Sequence, residues 1–511
     1  MLLNILFLPI CGLAQTNSCL KLTEQGRSVT LLSAQKKDWF TPGKAPFGVN
    51  TLFWVEDDLA WKHSDLIKAL PTSGITSLRF PAGEVADNYD WETKSLERKN
   101  EWPKEPSTAK ERDKQTDYLE FLTYAKKLGI EHIFFVVNVD GAFYAPGDQE
   151  KNVQRYAQKA ARWVQKVKEA GYRVPYWEIG NEPYLYTDHN PLTALEYAMV
   201  VKIFSQAMRA ADPHIFLGVA GPGDLHGSGF ADQLTAEQLT YLRDKGRWAK
   251  KICSGKKAKE CVEMLRRTVP GQPQKKVEWW PTLARAAKGY FDFAAIHRYA
   301  LANLSDFTAK HGIFPFTERP RRLREFLEKS QSGHSVAIAL TEWNLPKPKQ
   351  HQRTQMAHLQ QMAIQMGNTL VAGIDFAHYW PLRSKGKDFS PLLTYQSGGM
   401  TPLANLFALL RRLTDGAQVG QTMLDKGVYV LRTQQKESSS DVVVNTTSEA
   451  LQVDISPSLG EKTAVISVKR MIEGDNGKIT VLAECSENLS VAQPKFMVSI
   501  APNSVTSIVQ H

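Results

Sequence analysis

Two short motifs in this 511-residue chain place a glutamate where an apolar run stops. Asn181-Glu182-Pro183 comes at the end of "VPYWEIGNEP", and Thr341-Glu342-Trp343 closes "SVAIALTEW". Apolar runs of this length are typical of buried strands. Two carboxylates that face each other across a pocket are the groups that cleave glycosidic bonds. Glu182 and Glu342 are therefore the candidate catalytic pair.

The elements that must position this pair are predicted by eight apolar runs, which alternate with segments of helical periodicity over residues 46–413. The runs lie at residues 45–50, 75–80, 132–139, 174–180, 215–221, 291–299, 335–343 and 371–380. Near-continuous apolar runs suit parallel strands buried on both faces. Eight alternations predict an α/β fold, a (β/α)8 TIM barrel. An open doubly wound sheet is the alternative, but no glycine-rich phosphate loop follows the first run.

Active groups of such barrels lie at the C-terminal ends of the strands. Polar or aromatic side chains at those ends are the candidate substrate contacts: Arg79, Asn181, His297, Tyr299 and Trp380, with Asn138, Glu56 and Tyr89 as weaker candidates. Glu178 lies within the fourth run, and its position predicts an interior supporting role.

Each candidate also has a structural interpretation. Asn-Glu-Pro is a common turn sequence. Arg79 could form an ion pair with Asp87 or Glu84, and His297 or Trp380 could be buried without contacting substrate. The pairing of Glu182 with Glu342 on the expected strands is what favours catalysis.

The remainder of the chain predicts further units. Short alternating apolar runs over residues 414–511 predict an antiparallel β-sandwich, to which the segment 15–45 could add a strand. Residues 221–290 form a long basic insertion after the fifth strand, and it would overhang the catalytic end of the barrel. A chain of this length is expected to form two domains.

The N-terminus and the cysteines bear on localisation. Residues 1–14, "MLLNILFLPICGLA", resemble a signal peptide, although they contain no Lys or Arg. Removing them leaves four cysteines, of which Cys253 and Cys261 could close a short disulfide loop; buried free thiols are the alternative. We expect a secreted or periplasmic protein.

The formal net charge is +10, and the basic residues are dispersed apart from clusters at 244–251 and 318–325. No nucleic-acid motif accompanies them, and no later apolar run is long enough to span a membrane. We therefore expect neither nucleic acid nor a membrane as partner. An acidic polysaccharide remains a possible partner because basic proteins attract acidic ligands.

The two glutamate motifs together resemble the retaining glycoside hydrolases of clan A. The segment "LRFPAGEVADNYDW" (78–91) is similar to one in the α-L-arabinofuranosidases of glycoside hydrolase family 51, and "VVNVDG", "HRY" and "EWN" also have counterparts there. Ala82 and Glu84 depart from the Gly-Gly-Cys form of that segment.

The resemblance implies a role for each residue. Glu182 would be the general acid/base and Glu342 the nucleophile, kept ionised by Arg79 or Tyr299. Asn181 would donate to the sugar 2-hydroxyl group, His297 would contact the acid/base or a hydroxyl group, and a ring at Trp380 would lie under the sugar.

The sequence therefore predicts a retaining glycosidase that acts on a carbohydrate, most similar to α-L-arabinofuranosidases and requiring no metal or organic cofactor. Two alternatives stay open: a clan A hydrolase of an acidic or algal polysaccharide, such as a glucuronidase or an agarase-like enzyme, and a non-catalytic carbohydrate-binding barrel. Oligomeric state is not predicted.

Overall fold

The computed structural model describes residues 27–30, 39–53, 64–98, 116–185, 191–244, 253, 256–269, 271, 277–299, 315–345, 354–384, 390–425, 427–436, 438–455, 463–474, 478–490 and 496–510. The predicted signal peptide at 1–14 and the candidate Glu56 lie outside these residues.

Strands in this part of the chain are numbered in order. They are β1 Arg27–Thr30, β2 Ala45–Asn50, β3 Ser77–Phe80, β4 Tyr89–Asp90, β5 Ser95–Leu96, β6 His132–Val137, β7 Tyr176–Ile179, β8 Phe216–Gly221, β9 Phe293–Tyr299, β10 Ala337–Asn344, β11 Phe376–Tyr379, β12 Gln418–Asp425, β13 Val428–Gln434, β14 Ser439–Asn445, β15 Leu451–Ile455, β16 Thr463–Glu473, β17 Ile479–Ser490, β18 Phe496–Ile500 and β19 Ser504–Gln510.

The α-helices are numbered in the same way. They are α1 Ser64–Thr72, α2 Gly83–Ala86, α3 Tyr118–Lys127, α4 Gly141–Tyr144, α5 Gln149–Glu169, α6 Ala194–Ala211, α7 Ala236–Asp244, α8 Ala258–Thr268, α9 Trp279–Ala286, α10 Pro315–Ser330, α11 Gln355–Val371 and α12 Pro402–Thr414.

Eight parallel strands close a barrel in the order β2-β3-β6-β7-β8-β9-β10-β11, and β11 pairs again with β2. Each barrel strand falls within one of the eight predicted runs or within two residues of it, so the TIM barrel is confirmed. The eighth strand is shorter than predicted because helix α11 continues to Val371 before it.

Inward-facing side chains fill the barrel, and charged side chains lie in the layer nearer its C-terminal end. The rings of Phe134, Tyr176 and Phe376 pack together inside, with centroids 4.5–5.0 Å apart. Because side chains alternate across a strand, Glu178 points to the same side as Tyr176, one layer nearer the end of β7. Arg79 occupies the corresponding layer on β3, and it is fully buried.

Helix ends follow local capping chemistry. The Asp117 carboxylate accepts hydrogen bonds from the first turn of α3, and Glu120 bonds back to the Asp117 amide. Thr193 and Glu196 form the same capping box at α6. This hydroxyl–carboxylate pair starts α6 at Ala194.

The C-terminal sandwich consists of a six-stranded sheet, β12-β13-β14-β19-β16-β17, and a three-stranded sheet, β1-β15-β18. The N-terminal strand β1 pairs in parallel with β15. On β13, Val428 and Val430 face the core between the sheets, whereas Tyr429 and Leu431 pack into the same core as the barrel. Because successive side chains of a strand point to opposite faces, the large sheet buries both of its faces.

The insertion that follows β8 has a small core of its own, formed by Phe230, Leu234, Leu239, Leu242, Val262 and Leu265 together with a Cys253–Cys261 disulfide. Within the described residues, no helix is both long and apolar enough to cross a membrane.

Candidate active site

Arg79 is the centre of the polar cluster at the C-terminal end of the barrel. Its Nε and Nη2 atoms donate to the two carboxylate oxygens of Glu178 at 2.8 and 3.0 Å. Nη1 donates to Glu342 Oε1 at 2.9 Å, and Nη2 also donates to Asn181 Oδ1 at 3.0 Å. The guanidinium fork therefore links β3, on which Arg79 lies, to the ends of β7 and β10 across the barrel.

Glu342 lies on β10 and is buried, but both of its carboxylate oxygens have donors. Arg79 donates to Oε1, and the Tyr299 hydroxyl donates to Oε2 at 2.7 Å. Burial raises the pKa of the Glu342 carboxyl, but the charges of His297 and Arg79 and the hydrogen bond from Tyr299 outweigh it, so the pKa lies below its usual value. Glu342 is thus held as an anion at neutral pH.

Glu182 follows β7 in a left-handed backbone conformation, with φ of 43°. A non-glycine residue rarely adopts this conformation, and such residues concentrate at functional sites. Its Oε1 atom lies 2.7 Å from Nδ1 of His297, and its side chain is 14% exposed. Glu182 is therefore accessible to a ligand, whereas Glu342 lies deeper.

His297 links the two carboxylates. Nδ1 bonds Glu182 and lies 3.6 Å from Glu342 Oε2, and Nε2 lies 3.0 Å from the Thr341 hydroxyl group. Burial lowers the pKa of His297, but the charges of Glu342 and Glu182 outweigh it and raise its pKa. The same burial, together with Glu342, raises the pKa of Tyr299 well above its usual value, so the phenol stays a donor.

The two candidate catalytic carboxylates lie close together. One carboxylate oxygen from each of Glu182 and Glu342, and one nitrogen of His297, all lie within 4.8 Å of one another. Carboxyl groups of retaining glycosidases are about 5–5.5 Å apart, whereas inverting enzymes keep about 6.5–9.5 Å for a water molecule. The separation in this pocket falls on the retaining side.

The same three groups are close enough to hold a metal ion. Their existing partners fit a different use, because Glu342 already accepts from Arg79 and Tyr299 and Glu182 bonds His297. A cation between the carboxylates would compete with the permanent charge of Arg79. The donor set is therefore that of a hydrogen-bonded pair of carboxylates.

Trp380 follows β11, is half-buried, and borders the carboxylates. A Cβ atom added to Gly83 would lie 2.5 and 2.7 Å from two atoms of the Trp380 ring and 3.3 Å from Glu342 Oε1. Gly83 has a φ of +51°, a conformation that favours glycine. The indole can approach Glu342 because Gly83 has no side chain.

Other predicted contacts lie elsewhere. Asn138 accepts a hydrogen bond from the Gly141 amide at 2.8 Å, and its Nδ2 atom lies 3.4 Å from Glu97 Oε2 and from the Tyr89 carbonyl oxygen. These bonds fix the start of α4 and do not join the carboxylate cluster. Tyr89 is buried among aromatic rings of the barrel wall, including Phe53 and Trp163.

The ion pair of Arg79 differs from the alternative considered for it. Its carboxylate partners are Glu178 and Glu342 rather than Asp87 or Glu84. Arg79 and Glu178 stand 99 residues apart, so only the closed barrel brings them together.

Two supporting residues were missed. Asn50, at the end of β2, accepts from Arg79 at 3.0 Å and donates to the carbonyl oxygen of Thr341 at 2.9 Å. Asp87 lies 3.4 Å from both the backbone nitrogen and Nδ2 of Asn181. The strand-end rule identifies Asn50, since it closes the first run; Asp87 was considered only as an ion-pair partner of Arg79, and its contact with Asn181 was not expected.

The fold and this cluster define a class: a TIM barrel with an appended β-sandwich and with carboxylates at the ends of barrel strands four and seven. No protein-family profile matches the sequence, and no curated protein matches it either. Comparison with solved structures is informative.

The chain is similar in structure to the α-L-arabinofuranosidase of glycoside hydrolase family 51 from Thermotoga petrophila RKU-1, with a TM-score of 0.60, 16% identity, and coverage of 95% of this chain and 100% of that one. The family 51 arabinofuranosidase from Xanthomonas axonopodis pv. citri matches with a TM-score of 0.62 and 13% identity, over 95% of this chain and 100% of that one. A family 30 endoxylanase from Clostridium papyrosolvens C71 matches with a TM-score of 0.51 and 14% identity, over 94% of this chain and 98% of that one. These likenesses establish the fold, barrel and sandwich together, and agree with the resemblance of the motifs to clan A.

Proposed function

We propose that the protein is a retaining glycoside hydrolase that cleaves O-glycosidic bonds of an oligosaccharide or polysaccharide by double displacement. The observation that carries the proposal is the pair Glu182 and Glu342, with carboxylate oxygens within 4.8 Å of each other. Their environments differ in the way that two roles require. Glu342 is deep and held as an anion, whereas Glu182 is nearer the surface and bonds His297.

In the first step the Glu342 carboxylate attacks the anomeric carbon while Glu182 donates its proton to the leaving oxygen, which gives a covalent glycosyl-Glu342 ester. In the second step Glu182 removes a proton from water, and the water oxygen displaces Glu342 from the anomeric carbon. Two displacements at one carbon restore its configuration. Tyr299 and Arg79 bind the carboxylate before attack and after release.

Asn181 is placed to bind the sugar 2-hydroxyl group. Arg79 donates to its Oδ1 atom, which turns the Nδ2 hydrogens away from the guanidinium group, and Asp87 lies 3.4 Å from Nδ2. A hydrogen bond to the 2-hydroxyl group strengthens in the transition state and contributes several kcal/mol in such enzymes.

Among sugars, an α-L-arabinofuranoside is the first choice. It is supported by the similarity of residues 78–91 to the family 51 segment and by the fold shared with arabinofuranosidases. A non-catalytic carbohydrate-binding barrel is disfavoured because a binding protein has no use for two buried carboxylates held so close together.

We also propose that the protein is secreted or periplasmic. Residues 1–14 resemble a signal peptide, and a disulfide joins Cys253 to Cys261. Disulfides persist mainly in oxidising compartments. Fractionation of cells that express the full chain, with N-terminal sequencing of the mature protein, tests this proposal.

The catalytic roles are tested with two variants and a panel of aryl glycosides. Glu342→Ala should abolish turnover of every substrate that the wild type hydrolyses, with an unchanged circular dichroism spectrum. Glu182→Ala should regain turnover of an activated aryl glycoside when azide is added, with a glycosyl azide of retained configuration as the product. Normal hydrolysis by folded Glu342→Ala would refute the mechanism.

A further inference from the structure

The proposed acid/base Glu182 lies in the loop that joins β7 to α6, of which residues 180–185 and 191–193 are described. Its left-handed backbone conformation, with φ of 43°, persists in a non-glycine residue only where the surroundings hold it. Two hydrogen bonds fold the loop back on itself: the Leu185 amide donates to the Glu182 carbonyl oxygen, and the Leu192 amide donates to the Pro183 carbonyl oxygen, both at 2.9 Å. The contacts that attach this loop to the rest of the protein therefore decide where the Glu182 carboxyl group lies.

The insertion after β8 binds both ends of the loop. At the first end, the Phe230 amide donates to the Tyr184 carbonyl oxygen at 2.8 Å, and the Tyr184 ring packs edge-on against Trp279 with centroids 5.8 Å apart. At the second end, the buried carboxylate of Asp232 accepts from the amide of Ala194, the first residue of α6, at 3.1 Å. The insertion therefore bridges the loop from one end to the other.

Arg243, on helix α7 of the insertion, adds the strongest polar contact to the second end. Its Nη1 and Nη2 atoms donate to the two carboxylate oxygens of Glu196 at 2.8 and 2.9 Å, and Nη2 also donates to the Pro191 carbonyl oxygen at 3.2 Å. Burial raises the pKa of Glu196, but Arg243 outweighs it, so the pKa lies below its usual value. A bidentate pair of this kind fixes geometry as well as adding energy. One guanidinium group thus holds the end of the loop and the first turn of α6 together.

The insertion in turn holds Arg243 in place. The preceding residue, Leu242, is buried with Leu239 in the apolar core of the insertion, and the Cys253–Cys261 disulfide lies in the same core. Helix α7 is therefore packed against the remainder of the insertion. The guanidinium group joins this packed unit to the loop that carries Glu182.

A second arginine binds the other end of the same helix in the same manner. Arg209 donates to the Asp292 carboxylate at 2.8 Å and to the Gly289 carbonyl oxygen at 3.1 Å. The side chains of this pair are 30% and 33% exposed, almost the same as the 32% and 33% of Arg243 and Glu196. Pairs this exposed contribute at most modestly to stability. Because Asp292 directly precedes β9, the second pair lies at the N-terminal end of the barrel, away from the candidate active site.

We propose that Arg243 is a positioning residue for the acid/base. Through Glu196 and the Pro191 carbonyl oxygen it fixes the loop that places the Glu182 carboxyl group beside the leaving oxygen of the substrate. This inference rests on the proposed function, in which Glu182 protonates that oxygen. A poor leaving group needs the proton in the transition state, whereas a leaving group that is stable as an anion does not. A displaced Glu182 therefore slows the cleavage of poor leaving groups selectively.

The test compares kcat/KM of full-length R243M and R209M on two glycosides of one sugar, the 2,4-dinitrophenyl and the phenyl glycoside. The sugar is α-L-arabinofuranose first, and otherwise the one that the wild type prefers in the aryl glycoside panel. Methionine keeps an apolar stem and removes the guanidinium group. R243M should lose about tenfold or more on the phenyl glycoside and less than about threefold on the dinitrophenyl glycoside. The matched control R209M should stay within about twofold of the wild type on both.

Two further variants test whether the effect passes through Glu182. R243K keeps the charge without the bidentate fork and should show the same selective loss, smaller in size; it takes the place of R243M if that variant does not fold. In a double-mutant cycle on the 4-nitrophenyl glycoside, R243M should have no further effect once Glu182 is replaced by Ala, because the carboxyl group that it positions is gone. Losses that multiply in the double variant would overturn the proposal.

Three results on the two glycosides would also overturn it: equal losses of R243M on both, no loss of R243M on the phenyl glycoside, or the same selective loss in R209M. In each case the wild type hydrolyses the substrates, so only the role of Arg243 is refuted. Absence of hydrolysis by the wild type would instead refute the proposed function, and this role with it.

Discussion

Arg79 shows how single residues set the chemistry of this barrel. It is fully buried, and its charge is matched by Glu178 and Glu342. Burial alone lowers the pKa of Arg79, but the two carboxylates outweigh it and raise its pKa above the usual value. A buried charge of this kind requires such partners, because removing one leaves the other uncompensated. Arg79 thus binds the interior carboxylate of Glu178 and the carboxylate of the proposed nucleophile Glu342 at once.

Gly83 is predicted to be required for the shape of the pocket. Gly83→Ala should reduce kcat/KM by about 100-fold, because its Cβ atom would displace Trp380 and shifts of about 1 Å can cost that much. The matched control is Gly129→Ala: its φ of +68° is similarly unfavourable for alanine, but no atom lies within 4 Å of the added Cβ. The control should lose about 1–2 kcal/mol of stability and keep its activity. Equal activity in the two variants would contradict this role.

The pH dependence of the protein follows from His297 and Glu342. The raised pKa of His297 gives stability that is present below its ordinary pKa of about 6.5 and is lost as pH rises through the folded value. The lowered pKa of Glu342 gives stability that is present above about 4.3 and is lost as pH falls through the folded value. The site is thus most stable between these limits.

His297→Asn should move the acid limb of kcat/KM to higher pH. The variant keeps the burial of Glu342, which raises its pKa, but loses the neighbouring cation, which lowers it. The acid limb reports groups that must be ionised in the free enzyme. His334→Asn, at an exposed position, is the control and should leave the profile unchanged. An acid limb that stays in place in His297→Asn would show that His297 does not tune Glu342.

At the level of elements, the strands could be predicted because near-continuous apolar runs suit buried parallel strands, and eight of them alternating with helices are typical of a closed barrel. Strand β12 is hard to predict as a separate strand, since "QVGQTMLD" contains neither a continuous apolar run nor strong β-branched character. The contact of Arg79 with Glu342 was expected, but its ion pair with Glu178 was not. That ion pair depends on which residues of β3 and β7 face inwards, and predicting it requires strand positions correct to one residue.

The insertion after β8 is stabilised by the Cys253–Cys261 disulfide. Cys253 and Cys261 close a short loop, for which chain entropy gives about 2–3 kcal/mol. C253S/C261S should therefore speed hydrogen exchange in α7 and α8, with little change in the barrel strands and in aryl glycoside hydrolysis. A uniform increase in hydrogen exchange across the barrel strands as well would show that the insertion does not open independently of the barrel.

At the level of the whole molecule, the sandwich is an integral part of the barrel's surroundings. Helix α11 contacts β14 through Gln360, which donates to the Asn445 carbonyl oxygen at 2.7 Å. Gly367 on the same helix leaves room for the buried ring of Tyr429 from β13. The large sheet therefore covers α11 and shields it from solvent. The sandwich thus has a structural role whether or not it binds glycan.

Along the sequence, nine of the ten net positive charges fall in residues 243–276, inside the insertion after β8, and the rest of the chain is nearly neutral. The insertion could be predicted from the sequence, but its contact with the chain after Glu182 became visible only with the hydrogen bond from the Phe230 amide to the Tyr184 carbonyl oxygen. The sequence predicted Glu182 and Glu342 as the candidate catalytic pair because both stand at the ends of apolar runs. It could not show which residues of the insertion contact their surroundings.

The most direct test of the account is to locate the covalent intermediate. The wild type is incubated with the 2-deoxy-2-fluoro analogue of the best aryl glycoside, digested, and examined by peptide mass spectrometry. Double displacement through Glu342 predicts that one fluoroglycosyl group is attached to the peptide that contains Glu342, and that the Glu342→Gln variant carries none. A label on another carboxylate, or hydrolysis of the parent glycoside with inversion at the anomeric carbon, would contradict it.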